Sequence, residues 1–452
     1  MNKILAALLL ITFNVYGSEE FPAGTGTTSD LSVQAFSHPL SGTRGQDRRD
    51  FVVGNSFFQT VWVTSPASTT ARDGLGPTFN AISCTACHFK DGRGRGLPDA
   101  DGKVDISLLF RLRVKNADGS VSISENYGGQ FNPQGIQGVP GEGDAMVNFE
   151  VITGSFSDGE TFELKKPKYS FVNLAFGAFN KNTIFSPRVG PQMIGLGLIE
   201  NINESDILKN TDPDDLNKDG ISGRVNTVYS LVQQKYVLGR FGWKAGQPSL
   251  LEQNAGAFHG DMGITSYLHP EEECPLVQID CAAKRTQDDI SEQLLGQVTL
   301  YTQLLAVPVR RDVNSPNVLR GKEIFNQMNC QGCHTASYVT GKNSQFDVLN
   351  NQTIYPYSDF LLHDMGDSLS DDVGNYKNEG DAGTREWRTP PLWGIGLFKI
   401  VNGHTRYLHD GRARSVSEAI LWHDGEGAVA KAKFLKLPIN DRNDLLTFLN
   451  SL

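Results

Sequence analysis

The sequence predicts a mainly α-helical chain with a β-rich insertion, organised as two related units. Three observations carry that prediction. Cys-x-x-Cys-His occurs twice, at Cys84-Thr85-Ala86-Cys87-His88 and at Cys330-Gln331-Gly332-Cys333-His334. A Gly with apolar side chains at +3 and +4 precedes each: Gly54 with Phe57 and Phe58, then Gly321 with Ile324 and Phe325, the opening of an amphipathic helical stripe. Between the units the hydrophobic period falls to two, the signature of strands. The 452 residues are 39% apolar and 20% charged, enough for a sizeable core and two or three domains. With Asp+Glu 51 against Lys+Arg 41, the net charge of -10 argues against nucleic acid or an anionic membrane face as partner. Mean hydropathy of -0.31 and 47 Gly exclude a polytopic membrane protein, a coiled coil and a collagen.

Residues 1–17 read as a signal peptide: Lys3, an apolar run from Ile4 to Val15, then Val15-Tyr16-Gly17 with small residues at −3 and −1 before Ser18. The run is too short to span a bilayer, and no Cys follows it to take a lipid. A periplasmic protein with no membrane span after cleavage is expected. Residues 18–50, rich in Gly, Ser and Thr, read as an extended N-terminal arm. An N-terminal domain over 51–310 carries the first motif. Its β-rich insertion, about 105–165, alternates Ile106, Leu108, Phe110, Leu112 and Val114 with mostly polar neighbours, and Asp118-Gly119 and Asp158-Gly159 mark hairpin turns. Helical patterns resume near Glu204 and across 286–306. A C-terminal domain over 315–452 carries the second motif. Ser415-x-x-Glu418 is a capping box opening a helix through Trp422, and Leu445, Phe448, Leu449 and Leu452 share one face of a closing helix. Loops at 340–385, rich in Gly, Asn and Asp, leave much of this unit irregular. The Gly-to-Cys separation is 30 in the first unit and 9 in the second, so the first carries an insertion.

The motif has a covalent logic. Two thiols add across the two vinyl groups of one haem, and the adjacent imidazole becomes the proximal iron ligand. Chance would supply the pattern roughly 0.002 times per chain of this composition. A shared zinc site would need the pairs closer than the 246 positions between Cys84 and Cys330, and a dithiol redox pair would leave both His unused. Two covalently bound haem c groups are expected, held by Cys84, Cys87 and His88 and by Cys330, Cys333 and His334. Cys274 and Cys281, seven apart around Pro275, are expected to form a short-loop disulfide in an oxidising compartment. Asp215-Leu216-Asn217-Lys218-Asp219-Gly220-Ile221 matches the first half of a calcium loop, with Asp215, Asn217 and Asp219 as side-chain ligands and Ile221 as a carbonyl. Position 12 is Asn226 rather than a bidentate Glu; the competing reading is an acidic surface turn.

With the late Tyr407-Leu408-His409-Asp410-Gly411 and the preceding Arg388-Thr389-Pro390-Pro391-Leu392, the two motifs resemble the bacterial di-haem cytochrome c peroxidase superfamily. Asp73-Gly74-Leu75-Gly76-Pro77 with Asn80, Gly239-Arg240-Phe241-Gly242-Trp243-Lys244, Asp261-Met262-Gly263-Ile264-Thr265 and Leu362-His363-Asp364-Met365-Gly366 are similar, more narrowly, to the di-haem oxidoreductase family. The resemblance runs from about residue 35 to the C-terminus and implies two cytochrome c-like haem domains. It further implies an enzyme of peroxidase type, reducing hydrogen peroxide at the N-terminal haem. Electrons would come from a small periplasmic cytochrome or cupredoxin through the C-terminal haem. Two alternatives stay open: a non-catalytic electron-transfer cytochrome, and an enzyme oxidising residues of a partner protein.

The resemblance also proposes site residues. In the superfamily a Gln, and a Glu followed by Met, line the peroxide face; here Gln253 and Asp261 stand in a shortened version of that segment, with His259 beside them. For the sixth ligand of the C-terminal haem, Leu408 stands where the superfamily places Met, leaving Tyr407, His363 and Met365 as rivals. His38, His269, His404 and His423 read as structural or exposed. Trp243, Trp387 and Trp393 are candidates for an aromatic between the haems. Calcium between domains is common in the superfamily and adds to the reading of 215–221.

Overall fold

The computed structural model describes residues 18–284, 289–371 and 377–452; the expected signal peptide, 1–17, lies outside them. Two helix pairs anchor the molecule, and a glycine sits at the crossing point of each. The helix Gly45–Gln59 packs on Glu292–Leu304, and Pro316–Gln327 packs on Ile439–Ser451. A Cβ on Gly54 would lie 2.2 Å from the Gln297 carbonyl oxygen; one on Gly321 would lie 2.0 Å from that of Asp444. Each glycine lets two helix backbones touch. The aromatic four positions later then turns inward: Phe58 stands 6.2 Å from the His88 ring and Phe325 6.1 Å from that of His334, centroid to centroid. The pattern Gly, then aromatic at +4, is the same device used twice.

The last two helices begin and pack as their sequence dictates. Ser415 Oγ accepts from the Glu418 amide at 3.1 Å to open Val416–Trp422, a cap of the kind that contributes about 1 kcal/mol. In Ile439–Ser451 the buried face is Leu445, Phe448 and Leu449, one helical stripe. Helices near the other predicted positions span Glu204–Leu208 and Glu292–Leu304.

The chain is not mainly α. Helix accounts for 29% and strand for 20%, the strands dispersed over several small sheets. Two causes account for the difference. The strand-rich stretch does not end near 165 but runs through Thr183–Val189, which pairs along the whole of Leu108–Lys115 from Leu108↔Val189 to Val114↔Thr183. Asp144–Ser155 and Thr161–Val172 form a second, long hairpin turned at Asp158-Gly159. Leu108, Phe110, Leu112 and Val114 are buried and alternate with less buried neighbours. Phe110 meets Tyr169 and Phe171 of the long hairpin at 5.0 and 5.1 Å, edge to face, tying the two sheets together. The second cause lies in the Gly/Asn/Asp-rich loops. Their buried backbone groups need partners and find them in very short strand pairs, such as Leu362–Asp364 with Glu386–Arg388.

The segment after Ser18 is pinned along its length. Thr28 and Pro39 bridge to Pro308 and Leu305. Glu19 pairs with Arg310 at 2.5 Å, with Lys322, and with the Tyr357 hydroxyl at 3.0 Å. Among the described residues no helix is long and apolar enough to cross a membrane.

Candidate haem and peroxide sites

Each Cys-x-x-Cys-His segment forms a single 3-10 turn, Cys84–Ala86 and Cys330–Gly332, with the His amide bonded back to the first Cys carbonyl at 3.0 and 2.9 Å. The four motif cysteines are unpaired. Burial pushes the Cys84 and Cys330 thiols up to about 12, the opposite of what a redox-active thiolate requires. The two imidazoles are held identically: His88 Nδ1 donates to the Pro191 carbonyl at 2.7 Å, and His334 Nδ1 to that of Tyr357 at 3.0 Å. That bond places the proton on Nδ1 and leaves the Nε2 lone pair for an iron. Backbone packs closely behind the first imidazole: a Cβ on Gly190 would lie 3.1 Å from His88 Cε1. Inert thiols and tautomer-fixed imidazoles fit a haem at each motif.

Beside the second motif lies a cavity of about 210 Å³ with a mostly apolar lining. Cys330, Cys333, His334, Trp243, Trp387 and Arg93 are among its lining residues. Arg93 belongs to the loop after the first motif, yet its guanidinium lies 5.0 Å from the Trp243 ring and donates to the Leu408 carbonyl. The two motif regions therefore meet at Arg93 and Trp243. Trp387 stacks on His409 at 3.7 Å; Trp393 is buried in the core against Gly195.

The three expected rivals for a sixth ligand, Tyr407, His363 and Met365, all line this cavity. Their states differ. His363 Nε2 bonds Asp359 at 2.8 Å and Nδ1 bonds Glu426 at 2.6 Å. Burial would lower its pKa, but the hydrogen bonds to Asp359, Cys333 and Glu426 carry it well above the usual imidazole value. Both its ring nitrogens are taken by carboxylates, so neither is free for another partner. Tyr407 donates its hydroxyl to the Ile395 carbonyl at 3.3 Å, and burial raises its pKa to about 12. His409, part of the Tyr407-Leu408-His409-Asp410-Gly411 stretch, and His423, expected to be structural or exposed, also line the cavity.

Asp261 sits near the end of the helix Leu250–Met262, whose C-terminal carbonyls abut the first motif: the Asn80 and Ala81 amides donate to the Asp261 carbonyl at 2.8 and 3.1 Å. After burial, the Asp261 charge is the next cause raising the Cys84 and Cys87 thiols. Gln130 Nε2 donates to Asp261 Oδ1 at 2.9 Å, to the Gly260 carbonyl at 2.8 Å and to Asn80 Oδ1. Sequence reading missed Gln130, because only strand pairing carries it there: Arg111 bridges Gln130, and Phe131 bonds back to Phe110. Gln253 lies eight residues before Asp261, about 12 Å along a helix axis, facing the Gly242 turn. One small ligand does not touch both. His259 Nε2 donates to the Glu271 carbonyl at 2.7 Å on the exposed side and stacks with His269.

Cys274 and Cys281 are joined, with Cα atoms 5.7 Å apart. The loop they close braces the strand segment that carries Gln130: Glu273 accepts from the Gly129 amide, and Gln278 donates to the Asn126 carbonyl at 2.9 Å. Residues 215–221 form an exposed turn whose side-chain oxygens accept its own amides: Gly220 to Asp215 at 3.2 Å, Asp219 to Asn217 at 2.8 Å, Ile221 to Asp219 at 2.9 Å. Asn226, where a calcium loop closes, is buried and donates to the Lys244 carbonyl at 2.8 Å. No group of three or more His, Cys, Asp or Glu among the described residues is arranged to hold a metal ion. If the turn holds Ca²⁺, chelation is expected to lower the melting temperature, and an unchanged melting curve would leave it an acidic surface turn. A fall that Ca²⁺ reverses, and that Asp215→Ala with Asp219→Ala abolishes, would make the turn a metal site instead.

No curated protein sequence matches the chain. A solved structure of hydrazine synthase from Kuenenia stuttgartiensis, pressurised with xenon, aligns over 100% of both chains at 12% identity and a TM-score of 0.33, too distant to carry an argument. The family model described as "Di-haem oxidoreductase, putative peroxidase" matches residues 18–111 and 132–452. A match over so much of the sequence, including both motif turns and the Asp261 helix, places this chain in the di-haem oxidoreductase family.

Proposed function

We propose that the chain is an exported di-haem c-type oxidoreductase of peroxidase type. Cys84, Cys87 and His88 hold one covalent haem and Cys330, Cys333 and His334 the other. The observation that carries the reading is the shared state of the motifs: paired inert thiols beside an imidazole whose Nδ1 proton is fixed on a carbonyl. Export is supported by the Cys274–Cys281 disulfide, a bond that persists in oxidising compartments. Arg93 and Arg388, both buried and lining the second cavity, offer cations to haem carboxylates.

Hydrogen peroxide is the favoured substrate, at the first haem; its reduction takes two electrons and two protons and yields two waters. When bound, each haem supplies a one-electron iron centre, and one with a free position supplies the place where peroxide oxygen binds. The chain supplies proton handling. Asp261 takes the proton from the nearer peroxide oxygen and returns it to the farther one as the O–O bond breaks and water leaves. Gln130, donating to Oδ1, turns the carboxylate and reserves Oδ2 for that proton. A haem held at the second motif would take electrons from a small cytochrome or cupredoxin, and Arg93 and Trp243, where the two motif regions meet, would lie between it and the first.

The test is chemical. Both haems are expected to stay with the chain through acid-acetone extraction, and Cys84→Ala and Cys330→Ala each to weaken one attachment. Fully extractable haem would overturn the proposal.

A further inference from the structure

The second cavity is lined by four imidazoles, those of His334, His363, His409 and His423. Two of them are unsuited to a second role. His363 has both ring nitrogens engaged by carboxylates. His409 lies flat on Trp387, with an interplanar angle of 8°, and its Nε2 is sealed by protein without a partner. His423 differs from both. It follows the helix Val416–Trp422, and its Nδ1 donates to the Ala419 carbonyl at 2.7 Å. This is the arrangement already seen at His88 and His334: proton on Nδ1, lone pair on Nε2, ring direction fixed by a backbone oxygen. Such a bond is the usual partner of a metal-ligating imidazole. Its Nε2 has no hydrogen-bond partner among the described residues, and the residue lines the cavity.

The ring is also held from behind. A Cβ on Gly427 would lie 2.9 Å from His423 Cδ2 and 3.0 Å from its Cβ, so the glycine lets the loop after His423 close against the imidazole. The neighbouring Glu426 is the residue that binds His363. One short loop therefore fixes His423 and takes His363 out of contention. Of the remaining rivals, Tyr407 keeps its hydroxyl on the Ile395 carbonyl. Met365 brings a flexible, unbranched thioether to the same cavity.

We propose that His423 Nε2 is the sixth iron ligand of the second haem, opposite His334. The proposal rests on the reading that Cys330, Cys333 and His334 hold that haem. A six-coordinate iron with two imidazoles changes redox state with little rearrangement, which suits a relay and leaves peroxide to the first haem.

The test is electron paramagnetic resonance and electronic absorption of the ferric holoprotein, with haem content measured separately for every variant. Wild type is expected to show a low-spin bis-imidazole signal that His423→Ala replaces with a high-spin signal. Free imidazole should restore the low-spin form, which loss of a merely structural residue would not allow. Met365→Leu and Tyr407→Phe should leave the signal in place. An unchanged low-spin signal in His423→Ala, or its loss in Met365→Leu, Tyr407→Phe or His409→Gln instead, overturns the assignment. Two haems still covalently bound in Cys330→Ala with Cys333→Ala would overturn the underlying haem reading, an outcome separate from the ligand test.

Discussion

Asp261→Asn is expected to lower peroxide turnover by about 10²–10⁴-fold, the range for removing a positioned acid–base group. Asparagine keeps the shape and still offers Oδ1 to the Gln130 amide, but it cannot accept the peroxide proton. Reduction of the second haem by an external donor should be unaffected, since that cavity is lined by other residues. Stopped-flow measurement of the two steps separates them. Turnover unchanged in Asp261→Asn would send the acid elsewhere, and cyanide or peroxide binding first at the haem of His334 would reverse the assignment of roles. Gln130→Met should cost less, because the carboxylate survives and only its orientation is lost. Combined with Asp261→Asn it should add little, as expected of two residues acting through one group.

Stability should respond to helix glycines with a sign set by whether each lies at a helix crossing. Gly321→Ala is expected to destabilise the protein by about 1–3 kcal/mol through overpacking, even though alanine gains about 1 kcal/mol over glycine in a helix. The added methyl would lie 2.0 Å from the Asp444 carbonyl oxygen and 2.7 Å from Phe448 Cβ, and neither can yield without separating the helices. Gly54→Ala meets the Gln297 carbonyl oxygen at 2.2 Å and Tyr301 Cβ at 2.7 Å, with the same consequence. Gly296, inside Glu292–Leu304, has nothing within 4 Å of its Cβ position; Gly296→Ala should stabilise by roughly 0.5–1 kcal/mol. Denaturant midpoints of the three variants provide the check. A neutral Gly321→Ala would mean that the crossing relaxes and that the repeated glycine is not a packing device.

Much of the candidate site was legible because its chemistry is local. Cys-x-x-Cys-His sets two thiols and an imidazole within one turn, so five residues bring those groups together wherever the chain places them. The Ser415 cap and the closing stripe through Leu445, Phe448 and Leu449 were equally readable, since capping and helical period act over three or four positions. The β-rich insertion was found but cut short: its first strand pairs with Thr183–Val189, some 70 positions away, and pairing at that range leaves no local mark. The mainly α expectation failed for a related reason. Irregular loops around a buried cavity must satisfy their backbone groups, and they do so with two- and three-residue strand pairs too short to show a period.

By itself the sequence determined the two motifs, the repeated glycine-aromatic helix opening, and the cysteine pair left over for a disulfide. Only the tertiary structure decided which side chains surround them. It set Gln130 on Asp261, engaged both nitrogens of His363, and turned His423 toward the cavity of the second motif. The physical reason is range. A motif turn closes through bonds between neighbours, whereas the state of a buried imidazole or carboxylate is set by partners that long-range packing delivers.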